Sequence, residues 1–574
     1  RQSCGLSRMT SAKGVNEVSQ EVAKAALAAY DGLERKWQVA QASEWTIMAA
    51  LVAVRDQKTA TGASTLSASV ISLATGSKCL GPRKMSPEGL VINDCHAEVL
   101  ARRGLSWLIL QEALARHSEH QVCDDDALLI EEELVENHGH STYSHDINSE
   151  AHTESLNKKS LKFRPDMSIY LFVSELPCGD GSVVADRFSG AKLVADRELR
   201  EGDQAIGQLR SKSGRSNLHP GDRSLSMSCS DKIARWRVVG LQTALLSSVI
   251  EGKVLLQGLV LSSDCLSSQN ESASAETNEA TGRVLALRST IHTNEANAGQ
   301  QINSESAEAL DALEACWRAT HERLLETAPD KSQEDPQVSE GNDSNLFGAQ
   351  DWTVAICDLH FPRSRSSAEA YTREASEKSQ LPASNSECNK RKKPQGPPPA
   401  AGLALQWIRA PSFLDVDSLT NARAAPLTLA NGQKQSGLAQ IIVQARGEAH
   451  GTKQSKKQKL IGKAKPQPRP LTCKHSIFDL YRQVQAKILS LQGIPSSDFL
   501  TNINQSHDGD AKESDLPFVE KYQSLKRGVA SSSHEQSLTA FMQHGVFSSW
   551  RDLKSSNLEM KEHKNSHHEN GCAC

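Results

Sequence analysis

The residues best equipped for chemistry in this chain are His96, Glu98, Cys178 and Cys229. They stand in the strings His96-Ala97-Glu98, Pro177-Cys178 and Ser228-Cys229-Ser230-Asp231-Lys232. One imidazole and two thiols are the ligands of a zinc site that keeps its fourth position open for water, and the carboxylate beside them is not needed as a ligand. A closed structural site more often shows two tight pairs, such as CxxC with CxxC. Here 81 residues separate His96 from Cys178 and 50 separate Cys178 from Cys229, so a fold has to assemble the site. Each signal alone has a bland reading: a histidine near a helix start is usually a cap or a core residue, and a buried cysteine is usually a small apolar filler. The combination is far harder to reach by accident.

Zinc in such a setting lowers the pKa of its bound water toward neutrality. Cysteines at helix N-termini suit it, because the helix dipole favours the thiolate. Glu98 is spaced to collect the water proton and return it to a ring nitrogen and a leaving ammonia, the His-x-Glu logic of zinc nucleobase deaminases. The match is incomplete. That pattern ends in Pro-Cys-x-x-Cys, whereas Cys178 is followed by Gly179-Asp180-Gly181 and the third ligand arrives 51 positions later.

Periodicity supplies the elements that must hold these groups. Apolar spacing over Glu21–Val54 (Val22, Ala26, Leu27, Tyr30, then Trp45, Met48, Leu51) predicts two helices. Ala68–Thr75 reads as a buried strand with Gly89–Ile92 as its neighbour. A helix over Ala97–Leu114 places His96 and Glu98 at its first turn. Ile169–Val173 is a strand ending at Pro177-Cys178, Lys232–Ile250 a helix beginning just after Cys229, and Val254–Leu261 a further strand. Strands alternating with helices give an α/β class: a mixed sheet sandwiched by helices.

Composition sets the rest. Hydrophobic residues are 38% and aromatics 4% of 574, low enough to predict one domain (21–565) diluted by polar insertions. Residues 121–157, with ten carboxylates and no Lys or Arg, together with 262–350 and 364–400, read as solvated or disordered insertions, with a helix admitted over Ala307–Leu325. Residues 1–20 and 566–574 read as flexible tails. No apolar run approaches a membrane span and no signal peptide is visible. Thirteen scattered cysteines read as reduced intracellular thiols, in the nucleus or cytoplasm. The chain starts at Arg1 and not at Met, so its true N-terminus is expected to lie further upstream.

The strings Leu73–Cys79, Asn93–Glu98, Ser174–Asp180 and Met227–Trp236 resemble the adenosine-deaminase domain of RNA-editing enzymes, which has a cytidine-deaminase-like fold. Leu471–His475, Tyr522–Lys526 and the stretch around Trp550 resemble its C-terminal half, a helical extension. The separated third cysteine is what this branch has. The resemblance implies zinc held by His96, Cys178 and Cys229, with Glu98 as proton shuttle. It implies a buried inositol hexakisphosphate touching Asn93, Arg102, Arg103, Ser226, Lys232, Arg235, Trp236, Lys453, Tyr522, Gln523, Lys526 and Trp550. It also implies that Asp94, Lys212 and Lys232 link phosphate to zinc. Arg102 and Arg103 inside one helix, with Lys232 and Arg235 a turn apart on another, fit this, because buried cations without an anion are prohibitively costly. The family's lysine six residues before Tyr522 is missing; Leu516-Pro517 stands there. Lys453 begins a run to Arg469 with seven basic and no acidic residues, equally suited to RNA phosphates.

For the substrate, the resemblance favours tRNA. No double-stranded-RNA-binding module is expected before the domain, because the 20 or so residues ahead of it are too few for one. The duplex-editing enzymes fill the space of a flipped base with a glutamate, where this chain runs Arg210-Ser-Lys-Ser-Gly-Arg-Ser216 and offers Arg215. An adenosine already unstacked in an anticodon loop needs no such wedge. The loop resembles that of the tRNA branch, which makes inosine at position 37 of alanine tRNA, and implies RNA contacts from Ser77, Lys78 and Arg215. A single-domain editor of messenger or double-stranded RNA and a catalytically dead RNA-binding scaffold are the alternatives. No obligate protein partner is expected.

Overall fold

The computed structural model describes residues 12–38, 40–58, 64–118, 122, 127–133, 159–186, 190–193, 206–212, 224–266, 284–289, 304–325, 351–380, 397–416, 419, 422–428, 434–450, 469–492, 522, 526 and 532–550. Helix α1 (Ala12–Asp31) leads into strands β1 (Met48–Lys58) and β2 (Ser64–Thr75), then α2 (Ala97–His117). There follow β3 (Leu129–Glu133), β4 (Lys159–Phe163), β5 (Met167–Val173), β6 (Val183–Asp186), β7 (Gly190–Leu193) and α3 (Cys229–Val239). Next come β8 (Leu256–Ser262), β9 (Val284–Ser289), α4 (Ser304–Trp317), β10 (Trp352–Cys357) and α5 (Arg365–Gln380). The chain continues through β11 (Leu403–Arg409), β12 (Arg423–Ala424), β13 (Leu427–Thr428), β14 (Lys434–Gln435), β15 (Gly437–Val443) and β16 (Glu448–Ala449) to α6 (Lys474–Leu491) and α7 (Ser532–Gln543).

Among the described residues one ten-stranded sheet organises the molecule, in the order β12-β15-β11-β2-β1-β5-β8-β10-β9 with β16 on β15. It is mixed: β8 runs parallel to both β5 and β10, and the other pairs are antiparallel. Helices cover both faces, so β1 is buried on both. Met48, Ala50, Val52 and Val54 pack with Val22, Ala26 and Tyr30 of α1. Ala49, Leu51 and Ala53 point the other way, onto Leu100, Leu105 and Leu108 of α2. This corrects the expected second helix in Glu21–Val54. A strand apolar at every position also satisfies an i, i+3 pattern, so Trp45, Met48 and Leu51 do not distinguish the two.

Two smaller corrections follow from glycine. Gly89–Ile92 is a turn beside the sheet: Gly89 takes φ +67°, a left-handed conformation a ladder strand cannot use. The helix after Cys229 ends at Val239 and does not run to Ile250, because Gly240 adopts φ +93° and its N–H closes on the Trp236 carbonyl at 2.9 Å.

The expected insertions hold ordered elements. β3 lies within 121–157 and pairs with β4; β9 and α4 lie within 262–350, and β9 adds an edge to β10; α5 lies within 364–400. Polar composition misleads where one apolar side suffices: α4, which lies where a helix was admitted, buries Ala312, Leu313, Ala315 and Cys316. The C-terminal helices pack where a helical extension was expected, α6 against α2 and α7 against α3. No helix among the described residues is long and apolar enough to cross a membrane.

α2 sits unusually close to the sheet. A Cβ on Gly104 would lie 2.8 Å from Ser72 Cβ and 3.1 Å from Ile408 Cγ1. The Ser72 hydroxyl donates to the Ala101 carbonyl at 2.6 Å, which holds the helix at that distance.

Candidate active site

Three separate segments deliver the ligand candidates. His96 is the N-cap of α2, and the segment leading to it pairs with residues 76–80: Cys95 N–H donates to Lys78 O at 2.9 Å, Leu80 N–H to Asn93 O at 2.7 Å, and Ala97 N–H to Gly76 O at 3.0 Å. Cys178 follows β5, whose end is fastened where Ser174 Oγ accepts Met48 N–H at 2.9 Å. Cys229 opens α3, which Ser228 caps by accepting Asp231 N–H.

These segments meet. His96 Nδ1 lies 3.8 Å from Cys178 Sγ and 3.6 Å from Cys229 Sγ, and the three candidate donor atoms are all within 4.8 Å of one another. Gly179 makes the junction possible. Its φ is +105°, and a Cβ there would sit 2.2 Å from Ser228 Oγ. The carbonyl of Cys178 accepts from Ser230 N–H at 3.1 Å, and Cys178 Sγ accepts Cys229 N–H at 3.3 Å. The side-chain hydrogen bond from the Cys229 thiol pulls the Cys178 thiol well below its ordinary pKa against its burial, with His96 and Lys212 adding to the effect. An imidazole and two thiols, one of them already favouring thiolate, are a donor set that fits zinc.

Glu98 stands in the first turn of α2, 2% exposed; burial and the neighbouring Cys178 raise the Cys229 thiol, and the Glu98 charge adds to this. Its Oε2 is buried and has no hydrogen-bond partner among the described residues. A carboxylate oxygen in that condition is poised for a proton or a water.

A buried charge network lies alongside. Asp94 accepts from both Lys212 (2.8 Å) and Lys232 (2.5 Å), from Ser226 Oγ (2.7 Å) and from the His96 N–H (3.1 Å). Burial alone would raise Asp94, but Lys212 and Lys232 overcome it and hold the carboxyl well below the usual carboxylate range. Lys212 reaches this place because its segment pairs with the residues before α3: Lys212 N–H donates to Ser226 O and Ser228 N–H to Arg210 O, both at 2.7 Å.

Beyond Lys232 and Ser226 opens a cavity of about 150 Å³, lined also by Val99, Arg102, Arg235, Trp236 and Trp550. Burial, reinforced by Arg235 and Arg103, pushes Arg102 down to about 9. Arg102 donates to the Leu241 and Gln242 carbonyls, and Arg103 to the Thr472 carbonyl. The Arg102 guanidinium lies 5.2 Å from the Trp236 ring, and Lys526 lies 5.5 Å from the ring of buried Tyr522. Mutually repelling cations gathered at one cavity fit a polyanion. Asn93 also has a buried side-chain oxygen without a partner.

Of the expected RNA contacts, Ser77 and Lys78 lie on the turn before His96. The Lys78 ammonium donates to the Ala400 and Ala401 carbonyls, at 3.2 and 2.9 Å, and so is engaged within the protein. Arg215, Lys453 and Gln523 lie outside the described residues. The sequence reading missed Gln444. Its side-chain oxygen accepts the N–H groups of Ser77 and Lys78, and its amide nitrogen donates to the Ala401 and Leu403 carbonyls. No local motif surrounds Gln444; the alternation of β15 was the available hint, since it makes this position inward-facing.

Comparison with known proteins agrees with this geometry. The family model of the adenosine-deaminase (editase) domain matches residues 72–340, the stretch that carries His96, Glu98, Cys178 and Cys229. Residues 72–340 are thus similar to an adenosine-deaminase (editase) domain. The chain is 31% identical over 258 residues to tRNA-specific adenosine deaminase 1 of Drosophila melanogaster, covering 42% of this chain and 54% of that protein. It is 27% identical over 307 residues to tRNA-specific adenosine deaminase 1 of Homo sapiens, covering 38% and 60%. Double-stranded RNA-specific editase Adar of Drosophila melanogaster is 34% identical over 213 residues, covering 34% and 27%. The matches to the tRNA deaminases thus span little more than half of those relatives' length, and the match to the duplex editase about a quarter. The α/β class with a mixed sheet flanked by helices is the one read from the sequence.

Proposed function

We propose that this protein hydrolyses adenosine to inosine in tRNA, with release of ammonia, and that its target is position 37 of alanine tRNA. The convergence of His96, Cys178 and Cys229 beside the unpartnered Glu98 oxygen carries this reading. Zinc held by those three residues, with a fourth position left for water, would supply hydroxide at neutral pH. Glu98 takes one proton from the attacking water and passes it to the purine ring nitrogen, then takes the second from the hydroxyl now bonded to C6 and delivers it to the departing amine as the C–N bond breaks, so water and adenosine give inosine and ammonia. Asp94 fixes the His96 backbone and orients Lys212 toward the thiolates, whose charge Lys212 offsets. Inositol hexakisphosphate is the proposed occupant of the cavity, held by Arg102, Arg103, Lys232, Arg235, Tyr522, Lys526 and Trp550, with Lys453 and Gln523 as further contacts. Ser77 and Arg215 are proposed to meet the RNA backbone, and Lys78 to brace the turn that presents Ser77.

Incubation of purified protein with alanine tRNA, sequencing for A-to-G changes and zinc determination on the same sample test the reading. Inosine at position 37 with about one zinc per chain is expected; zinc-replete protein that leaves the tRNA unchanged would refute it. A second reading, editing of duplex or messenger RNA, is favoured by the 34% identity to a duplex editase. A parallel incubation with a long duplex separates the two.

A further inference from the structure

The π-turn at Arg318–Glu322, which joins α4 to the short helix Arg323–Leu325, sits behind both cysteine segments. On an α-helix, residues five apart point about 140° away from each other. The wider π-turn brings Arg318 and Arg323 to the same side, and both guanidinium groups approach Asp180 Oδ2, at 3.2 and 3.9 Å. Arg323 also donates to Asp231 Oδ1 at 2.9 Å and reaches the Gly207 and Gln208 carbonyls at 3.4 and 3.3 Å. The side chains of Arg323, Asp180 and Asp231 are 0% exposed.

The placement of these partners is specific. Asp180 lies two residues past Cys178 and Asp231 two residues past Cys229. Gly207 and Gln208 lie five and four residues before Lys212. The second Asp231 oxygen accepts the Arg210 N–H (3.0 Å) and the Ser228 hydroxyl (2.6 Å), and Asp180 Oδ1 accepts the Gly207 N–H (2.7 Å). One buried guanidinium therefore joins the three segments that carry both thiols and the lysine facing them. We propose that Arg323 is a positioning residue that fixes the separation of the two thiolates, and so sets metal affinity from a helix remote from the metal. This rests on His96, Cys178 and Cys229 being metal ligands. An ordinary buried ion pair would stabilise the fold alone; this one joins the backbone on either side of the site, so moving it changes the distance that a metal must span.

The test uses the full chain. Zinc is titrated in competition with a chromophoric chelator, cobalt(II) is added to metal-free protein to record its thiolate absorption, and metal-free melting is followed. The proteins are the wild type, Arg323→Lys, Asp231→Asn and the exposed-pair control Arg446→Gln. We expect zinc binding at least about tenfold weaker and an altered cobalt spectrum in the first two variants, with the control unchanged. Asp231→Asn leaves the Arg323–Asp180 contact in place and carries the test if Arg323→Lys fails to fold. Unchanged zinc affinity and cobalt spectrum, whatever happens to melting, would overturn the proposal, as would failure of both variants to fold even with zinc present. A wild type that takes up neither metal would instead overturn the ligand assignment itself.

Discussion

Glu112, on the second turn from the end of α2, gives a pH test of how the fold holds this helix. Its side chain is 2% exposed, and one oxygen accepts both the Leu128 and Leu129 N–H groups, at 2.8 and 3.1 Å. Burial pushes its carboxyl up from 4.5 to about 7, although Arg409, the two amides and Arg116 pull the other way. The unfolded chain ionises this group near its ordinary value while the folded chain still holds the proton. The proton therefore favours the folded state at low pH, and that contribution disappears as pH rises to about 7. Between pH 5 and 8 the loss amounts to about 2.5 kcal/mol. Glu112→Gln keeps an oxygen for both amides and cannot ionise, so the slope vanishes. Denaturant titrations of both proteins at pH 5, 6, 7 and 8 measure it: the variant should gain on the wild type by about 2.5 kcal/mol across the series. Two stability curves that stay parallel over that range would refute the reasoning, since every other titrating group cancels in the difference.

Three further outcomes are expected. Glu98→Gln should retain the wild-type zinc content yet lose at least about 100-fold in inosine formation on tRNA, the range associated with a positioned general acid–base. Asp94→Asn strips Lys212 and Lys232 of a shared buried carboxylate and should destabilise the protein by about 3–5 kcal/mol, read as a lower denaturant midpoint; an unchanged midpoint would show the network to be dispensable. Gly179→Ala forces a Cβ to within 2.2 Å of Ser228 Oγ at φ +105°, and zinc content after dialysis should fall even where far-UV circular dichroism does not.

What could be read from the sequence depended on whether a signal was local. His96 and Glu98 were legible because a helix start and a His-x-Glu spacing are written in three residues. Cys229 was legible because the apolar pattern of a helix begins just after it. β1 was misread as helix because a strand sealed on both faces has no alternation to display. Gly240 ended a helix that the apolar pattern alone would have carried onward. The stretches taken for excursions hid β9 and α5, whose few apolar residues are diluted by polar neighbours, while α4 and the turns after it occupy the place where a helix was admitted. Arg323, Asp180 and Asp231 were invisible as a group: pairing across 92 and more positions leaves no periodic trace. Gln444 was missed for the same reason, its partners being backbone groups that have no identity in a sequence.

The near-contact at Gly104 has a consequence for how such a domain can diversify. With no room for even a methyl group between that helix and the strands beneath it, His96 and Glu98 ride on a rail that cannot be shimmed. New substrate preferences cannot be gained by sliding the reactive end of the helix. Variation that retunes which nucleotide is accepted should therefore accumulate in the turns around the mouth, Ser77 and its surroundings among them, while the rail and its glycine stay fixed.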